Sequence, residues 1–117
     1  ALGAGAEKTN APYHTGVVEC KDAFYGQHRP ETLPNGPELM RKWAAWLKLG
    51  CKASEMESSA LFIVASYLRV RCGTVLLTVA NQERAKLGLE NPQVHDTDKA
   101  IHCAIEAIRD LIKQDNL

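Results

Sequence analysis

Apolar positions recur at two periods along the chain, and the alternation between them outlines the elements. A short first segment, Leu2–Lys8, reads as helix and is stopped by Asn10, Ala11 and Pro12. His14–Cys20 carries a valine pair in a β-favouring context and reads as a strand. Residues 21–35 follow neither period and contain Gly26, Pro30 and Pro34, as a long loop would. Asn35-Gly36-Pro37 then places a capping residue and a first-turn proline. Leu39, Met40, Trp43, Trp46, Leu47 and Leu49 recur at helical spacing up to Gly50, where a C-terminal glycine belongs. Met56, Ala60, Ile63, Val64, Tyr67 and Leu68 form a second apolar stripe, with Arg69 and Arg71 suiting the end of that helix.

Gly73–Ala80, GTVLLTVA, is apolar at nearly every position, the pattern of a strand covered on both faces. Residues 81–97 are irregular. Asp96 or Thr97 is placed to cap a last helix, whose stripe is Ile101, Ala104, Ile105, Ile108, Leu111 and Ile112. The fold class is therefore α/β. Two strands make no sheet of useful size, so helices that need a sheet imply strands beyond this sequence, and the chain reads as part of a larger α/β domain.

Composition narrows the partners. The chain has 117 residues, room for one domain, with 14 basic and 14 acidic side chains and a formal charge of zero. A general nucleic-acid binder would show a basic stripe. A membrane span needs about 18 or more consecutive apolar residues, and none occurs. The start ALGAGAEKTN has no basic region followed by an apolar run, so no secretory signal is expected. Cys20, Cys51, Cys72 and Cys103 form no CxxC pair, and His14, His28, His95 and His102 are scattered. Reduced cysteines in a cytoplasmic protein and no metal site are the expectation.

Two segments carry candidate chemistry. The first is DAFYGQHR, residues 22–29. Phe24 and Tyr25 offer aromatic faces, Gly26 a tight bend, Gln27 a planar amide and Arg29 a rigid fork of donors. They could hold a planar heterocycle by stacking and edge hydrogen bonds, or the aromatics could simply anchor a solvated loop. The second is SEMESS, residues 54–59, at a helix start. Glu55 and Glu57 are two apart and do not share a helical face. A carboxylate here could accept two hydrogen bonds from the vicinal diol of a sugar, or be ordinary first-turn acid enrichment. A glycosidase pair ranks below both, since nothing raises either pKa. No phosphate loop and no GxSxG occur.

GVVECKDAFYGQHR, SEMESSALF and GTVLLTVANQE, in this order, resemble the C-terminal part of the uridine phosphorylases, a branch of the nucleoside phosphorylase family. The resemblance runs over nearly all of residues 1–117, with EMES marking the wider family and FYGQHR the pyrimidine branch. It implies a single-domain, three-layer α/β/α fold with a mixed central sheet, of which this chain is the C-terminal portion without the N-terminal half. It implies phosphorolysis of uridine to uracil and ribose 1-phosphate, with phosphate as co-substrate, no cofactor, and a cytoplasmic homo-oligomer, a hexamer built from dimers.

The same resemblance implies residue roles. Gln27 and Arg29 would bond the uracil edge and stabilise the departing base, and Phe24 would pack on it. Met56 would lie under the ribose, Glu57 would take its 2′- and 3′-hydroxyls, and Glu55 would support them. Purine-specific relatives carry a Ser-Asp pair where this chain has Ala80-Asn81, and an amide cannot act as a general acid. Some uridine phosphorylases have Arg where Gln82 stands. The family takes its phosphate-binding groups from the N-terminal half, so this chain alone is expected to be inactive. Alternatives are a nucleoside hydrolase, a purine nucleoside phosphorylase, and a non-catalytic nucleoside-binding module.

Overall fold

The computed structural model describes residues 1–116. The order of elements is α1 (Leu2–Lys8), β1 (Val18–Cys20), α2 (Tyr25–His28), a 3-10 turn (Pro30–Thr32), α3 (Gly36–Lys48), β2 (Ala53–Glu55), α4 (Ser58–Leu68), α5 (Gln82–Lys86) and α6 (Asp98–Gln114). They divide into two compact units. One holds Ala1–Tyr13 with residues 73–116, and the other holds His14–Cys72.

The first unit is built on α1 against α6. Small residues allow the close approach: Ala6, Cys103 and Ala107 are buried, and a Cβ at Gly5 would overlap the carbonyl of Cys103. The Cys103 thiol donates to the Leu2 carbonyl at 3.2 Å, and Lys8 pairs with Asp110. The face of α6 that packs is therefore Cys103 and Ala107. The expected isoleucine stripe stays largely open, with Ile101, Ile105, Ile108 and Ile112 all exposed. Thr97 holds the N-cap position of this helix without a side-chain bond, and Asp96 Oδ1 accepts the N–H of Asp98 at 3.0 Å.

The second unit is a β-α-β arrangement. β1 and β2 pair in parallel, with Val18 opposite Ala53, Glu19 opposite Ser54 and Cys20 opposite Glu55. Parallel neighbours need a long crossover, and the chain between them supplies it through α2, the 3-10 turn and α3. Proline in the first turn starts α3, and Gly36 is buried where a Cβ would overlap the Pro30 carbonyl. Gly50, at φ +77°, turns the chain just after α3, a backbone conformation that costs glycine little.

Three sequence expectations are corrected here. Residues 73–80 form no strand. The described strands pair only with each other, and a segment apolar on both faces has no ladder to join. A backbone bond runs from the Val94 N–H to the Val79 carbonyl at 2.9 Å. The long loop contains α2 and the 3-10 turn, and the irregular stretch after it contains α5. Finally, the apolar stripe of α4 is not a core face in this chain. Ser58 and Ala65 are buried, while Ile63 is 72% exposed and Tyr67 86%. A stripe of this kind calls for a packed layer, and β1 and β2 do not supply one.

Candidate functional site

The second unit brings both candidate segments to one small sheet. Phe24 caps the start of α2 and stacks on His28 at a centroid distance of 3.8 Å, with Tyr25 edge-on to it at 5.5 Å. Burial, and then the nearby Lys21 charge, lower the His28 pKa. Phe24 remains 51% exposed, so part of the ring is open to a ligand. Leu39 of α3 packs beneath Gly26. Arg29 follows the last turn of α2 with its side chain exposed.

Gln27 is tied to β2. Ser54 Oγ lies 3.0 Å from the Gln27 amide oxygen, to which it donates, and 2.9 Å from Glu19 Oε2. Lys21 Nζ donates to the same hydroxyl at 2.9 Å. The parallel register sets Glu19 beside Ser54, and strand alternation puts both on the face opposite Cys20 and Glu55. Glu19, Lys21 and Ser54 escape sequence reasoning. Their one signal is the polar Glu19 between Val18 and Cys20, and its meaning depends on a register that only pairing reveals.

The other face of the sheet meets the start of α4. Glu55 Oε2 accepts the N–H of Glu57 at 2.8 Å and of Ser58 at 2.7 Å. Burial alone would raise its pKa. The two N–H donors outweigh burial, with smaller help from the Cys20 thiol and Ser58 hydroxyl, and hold it at about 2. Glu55 Oε1 and Ser58 Oγ are both buried, and neither completes a hydrogen bond of ordinary geometry, although the hydroxyl stands close enough to favour the carboxylate. Cys20 Sγ donates to Ser59 Oγ at 3.1 Å and accepts the Ser59 N–H at 3.4 Å, which locks the strand to the helix.

Glu57 is different. It is exposed, it occupies the N-cap position of α4, and its Oε2 accepts the neighbouring Met56 N–H at 3.1 Å. The Met56 side chain is 39% exposed beside it. Of the sequence candidates, Gln27 and Glu55 thus sit on or against β2, Met56 and Glu57 lead into α4, and Phe24 and Arg29 flank α2. Asn81 belongs to the first unit, where its Oδ1 caps α5 by accepting the Arg84 N–H at 3.0 Å. An apolar cleft of about 290 Å³ also lies in that unit, between residues 75–77 and α6, and contains none of the candidates. Among the described residues no group of three or more His, Cys, Asp or Glu could hold a metal ion, and no helix is long and apolar enough to cross a membrane.

Comparison with known proteins decides the family. Residues 1–113 match the family model described as the phosphorylase superfamily. The chain belongs to the phosphorylase superfamily. Among curated proteins of known name, this phosphorylase-superfamily chain is 53% identical over 116 residues to a uridine phosphorylase of Treponema pallidum (strain Nichols), covering 99% of this chain and 45% of that protein. It is 32% identical over 107 residues to a uridine phosphorylase of Haemophilus influenzae (strain ATCC 51907 / DSM 11121 / KW20 / Rd), covering 86% of this chain and 41% of that protein. The chain therefore spans less than half the length of the curated relatives it matches.

Proposed function

We propose that the protein carrying this chain catalyses the phosphorolysis of uridine to uracil and ribose 1-phosphate, and that these 117 residues are its nucleoside-binding side. The observation that carries this reading is the tie between Gln27 and Ser54, because Ser54 directly precedes Glu55-Met56-Glu57. A planar amide and the carboxylate of Glu55, far apart in sequence, are thereby anchored to neighbouring positions of one strand, with Glu57 two residues further on at the start of α4. The 53% identity to a uridine phosphorylase across 99% of the chain supports the choice of substrate.

In this reading phosphate oxygen attacks C1′ of the ribose as the bond from C1′ to uracil N1 breaks. The electron pair passes to the base and spreads onto its carbonyls. Gln27 and Arg29 donate to those carbonyls and stabilise the leaving anion, as an oxyanion hole does. Phe24 stacks on the base, Met56 lies under the sugar, and Glu57 accepts from the 2′- and 3′-hydroxyls. Glu55 contributes by fixing the turn that presents Met56 and Glu57. No protonation of the base by a side chain is required, which agrees with an amide, Asn81, where purine-specific relatives place an acid.

The phosphate side lies outside these residues, so the chain by itself does not turn over. The open faces of α4 and α6 favour a three-layer α/β/α fold in which further strands and helices cover them. A cytoplasmic hexamer built from dimers is the assembly proposed for the whole protein. The test is phosphate dependence: the whole protein should form ribose 1-phosphate from uridine only when phosphate is present. Release of free ribose at the same rate without phosphate would make it a hydrolase instead.

A further inference from the structure

Phe24 holds the N-cap position of α2 and His28 is the last residue of that helix, a four-residue spacing that brings two side chains to one face. The His28 N–H donates to the Phe24 carbonyl at 3.3 Å, which closes the turn between them. The two rings stack at a centroid distance of 3.8 Å with their planes 23° apart, and Tyr25 meets the Phe24 ring edge-on at 5.5 Å. An aromatic ring has two faces. His28 lies on one of them, and Phe24 is still 51% exposed. A base that stacks on Phe24 therefore has the opposite face to use. A half-exposed ring that turned freely would have to be ordered by the ligand itself, and that ordering weakens binding. With His28 behind it, the ring is ordered beforehand. Burial, and then the Lys21 charge, lower the His28 pKa, so near neutrality the imidazole is uncharged and pairs with Phe24 as one flat ring on another.

We propose that His28 is a positioning residue that backs the Phe24 ring and holds its other face ready for the nucleoside base. This rests on the functional reading above, which puts the base on Phe24. His28 acts through Phe24 rather than by touching substrate. The stack of base on ring is much the same before the bond from C1′ to the base breaks and while it is breaking. A loosened Phe24 ring thus weakens the binding of substrate and transition state alike, and its mark is a raised KM at a nearly constant kcat. The pair has a plainer use, as a contact between neighbours on a helix that only steadies α2. In that case the amount of folded protein falls when the pair is broken, while the KM of the molecules that do fold stays where it was. Alanine favours helix more than histidine does, so replacing His28 with alanine does not weaken α2 through propensity.

The experiment measures kcat and KM for uridine, at saturating phosphate, in the whole protein and its variants. His28→Ala should raise KM about three- to tenfold, the scale of one aromatic pair, and leave kcat within about twofold. His28→Phe returns a flat ring to the same place and should restore KM. In a Phe24→Leu background, His28→Ala should add nothing further, because the ring it backs is gone. Circular dichroism of each variant reports the folded fraction. Should His28→Ala fail to fold, His28→Leu, which keeps bulk without a flat face, carries the same expectations. A native KM in the folded variant overturns the inference while leaving uridine phosphorolysis intact, and so does an equal rise in KM with and without Phe24. A native protein that does not cleave uridine with phosphate instead overturns the functional reading, and the inference with it.

Discussion

Glu55 Oε2 accepts the backbone N–H of Glu57 at 2.8 Å, so two carboxylates only two residues apart have separate duties. Glu55 turns in and closes the start of α4, taking the Ser58 N–H as well at 2.7 Å. Glu57 is left exposed at the N-cap position, where its own carboxylate accepts the Met56 N–H.

Glu55 therefore makes stability depend on acid. Its folded pKa of about 2 lies below the ordinary 4.5, so the ionised form is favoured by folding. That contribution is complete above pH 4.5 and is lost as pH falls from there toward 2. Glu55→Gln keeps the shape and removes the charge. It should cost about 1 kcal/mol near neutrality, the scale of a lost helix cap. Urea unfolding of both proteins at several pH values checks this, and the gap between them should shrink below pH 4.5. A gap independent of pH would mean that the charge of Glu55 contributes nothing.

Much of this arrangement was readable from the residues. The helices around Leu2–Lys8, Gly36–Lys48 and Asp98–Gln114 follow from periodicity and from stop signals such as Pro12 and Gly50. β2 was hidden because Ala-Ser-Glu has little strand preference, and pairing with β1 alone makes it a strand. Residues 73–80 erred the other way. Their composition favours a strand, but a strand exists only through neighbours. The candidate side chains were found one by one, whereas the Glu19–Ser54–Gln27 link depends on the register of two strands and on a crossover through α2. No local pattern encodes such a link.

The approach of α1 to α6 gives a contrast between two glycines on one helix. A Cβ at Gly5 would overlap the Cys103 carbonyl, which is backbone and cannot swing aside, whereas the nearest atom to a Cβ at Gly3 is the Tyr13 hydroxyl, at 3.6 Å. Gly5→Ala should destabilise by about 1–3 kcal/mol through overpacking. Gly3→Ala should be neutral or stabilise by up to about 1 kcal/mol through helix propensity. Thermal unfolding of the two variants distinguishes them, and equal shifts would show that the two helices do not pack this closely.

Gln27→Leu removes the whole amide. If the proposed function holds, this change in the whole protein should leave uracil groups unpaired and cut kcat/KM for uridine on the order of 100-fold. Inosine should stay a poor substrate in both proteins, since the change opens no path to a purine. Steady-state kinetics with the two nucleosides reads this directly. Uridine turnover at the native level in Q27L would remove Gln27 from the base site.

Glu57 yields the sharpest test of the proposed sugar site. It is exposed at a helix start, with two oxygens for two vicinal hydroxyls, and charged hydrogen bonds are about twice as strong as neutral ones. Glu57→Gln keeps one acceptor and should lose part of the activity, and Glu57→Ala should lose more. Both should harm uridine more than 2′-deoxyuridine, because the deoxy substrate already lacks one of the contacts. The measurement is kcat/KM for native and E57A proteins with each nucleoside. If the carboxylate and the 2′-hydroxyl touch, the two losses overlap and their sum exceeds the combined loss by about 1–2 kcal/mol. If Glu57 only steadies α4, both substrates fall by the same factor. Strict additivity in folded, assembled protein would take Glu57 out of the ribose site. Glu55 would not replace it readily, because its Oε2 is already committed to two backbone donors.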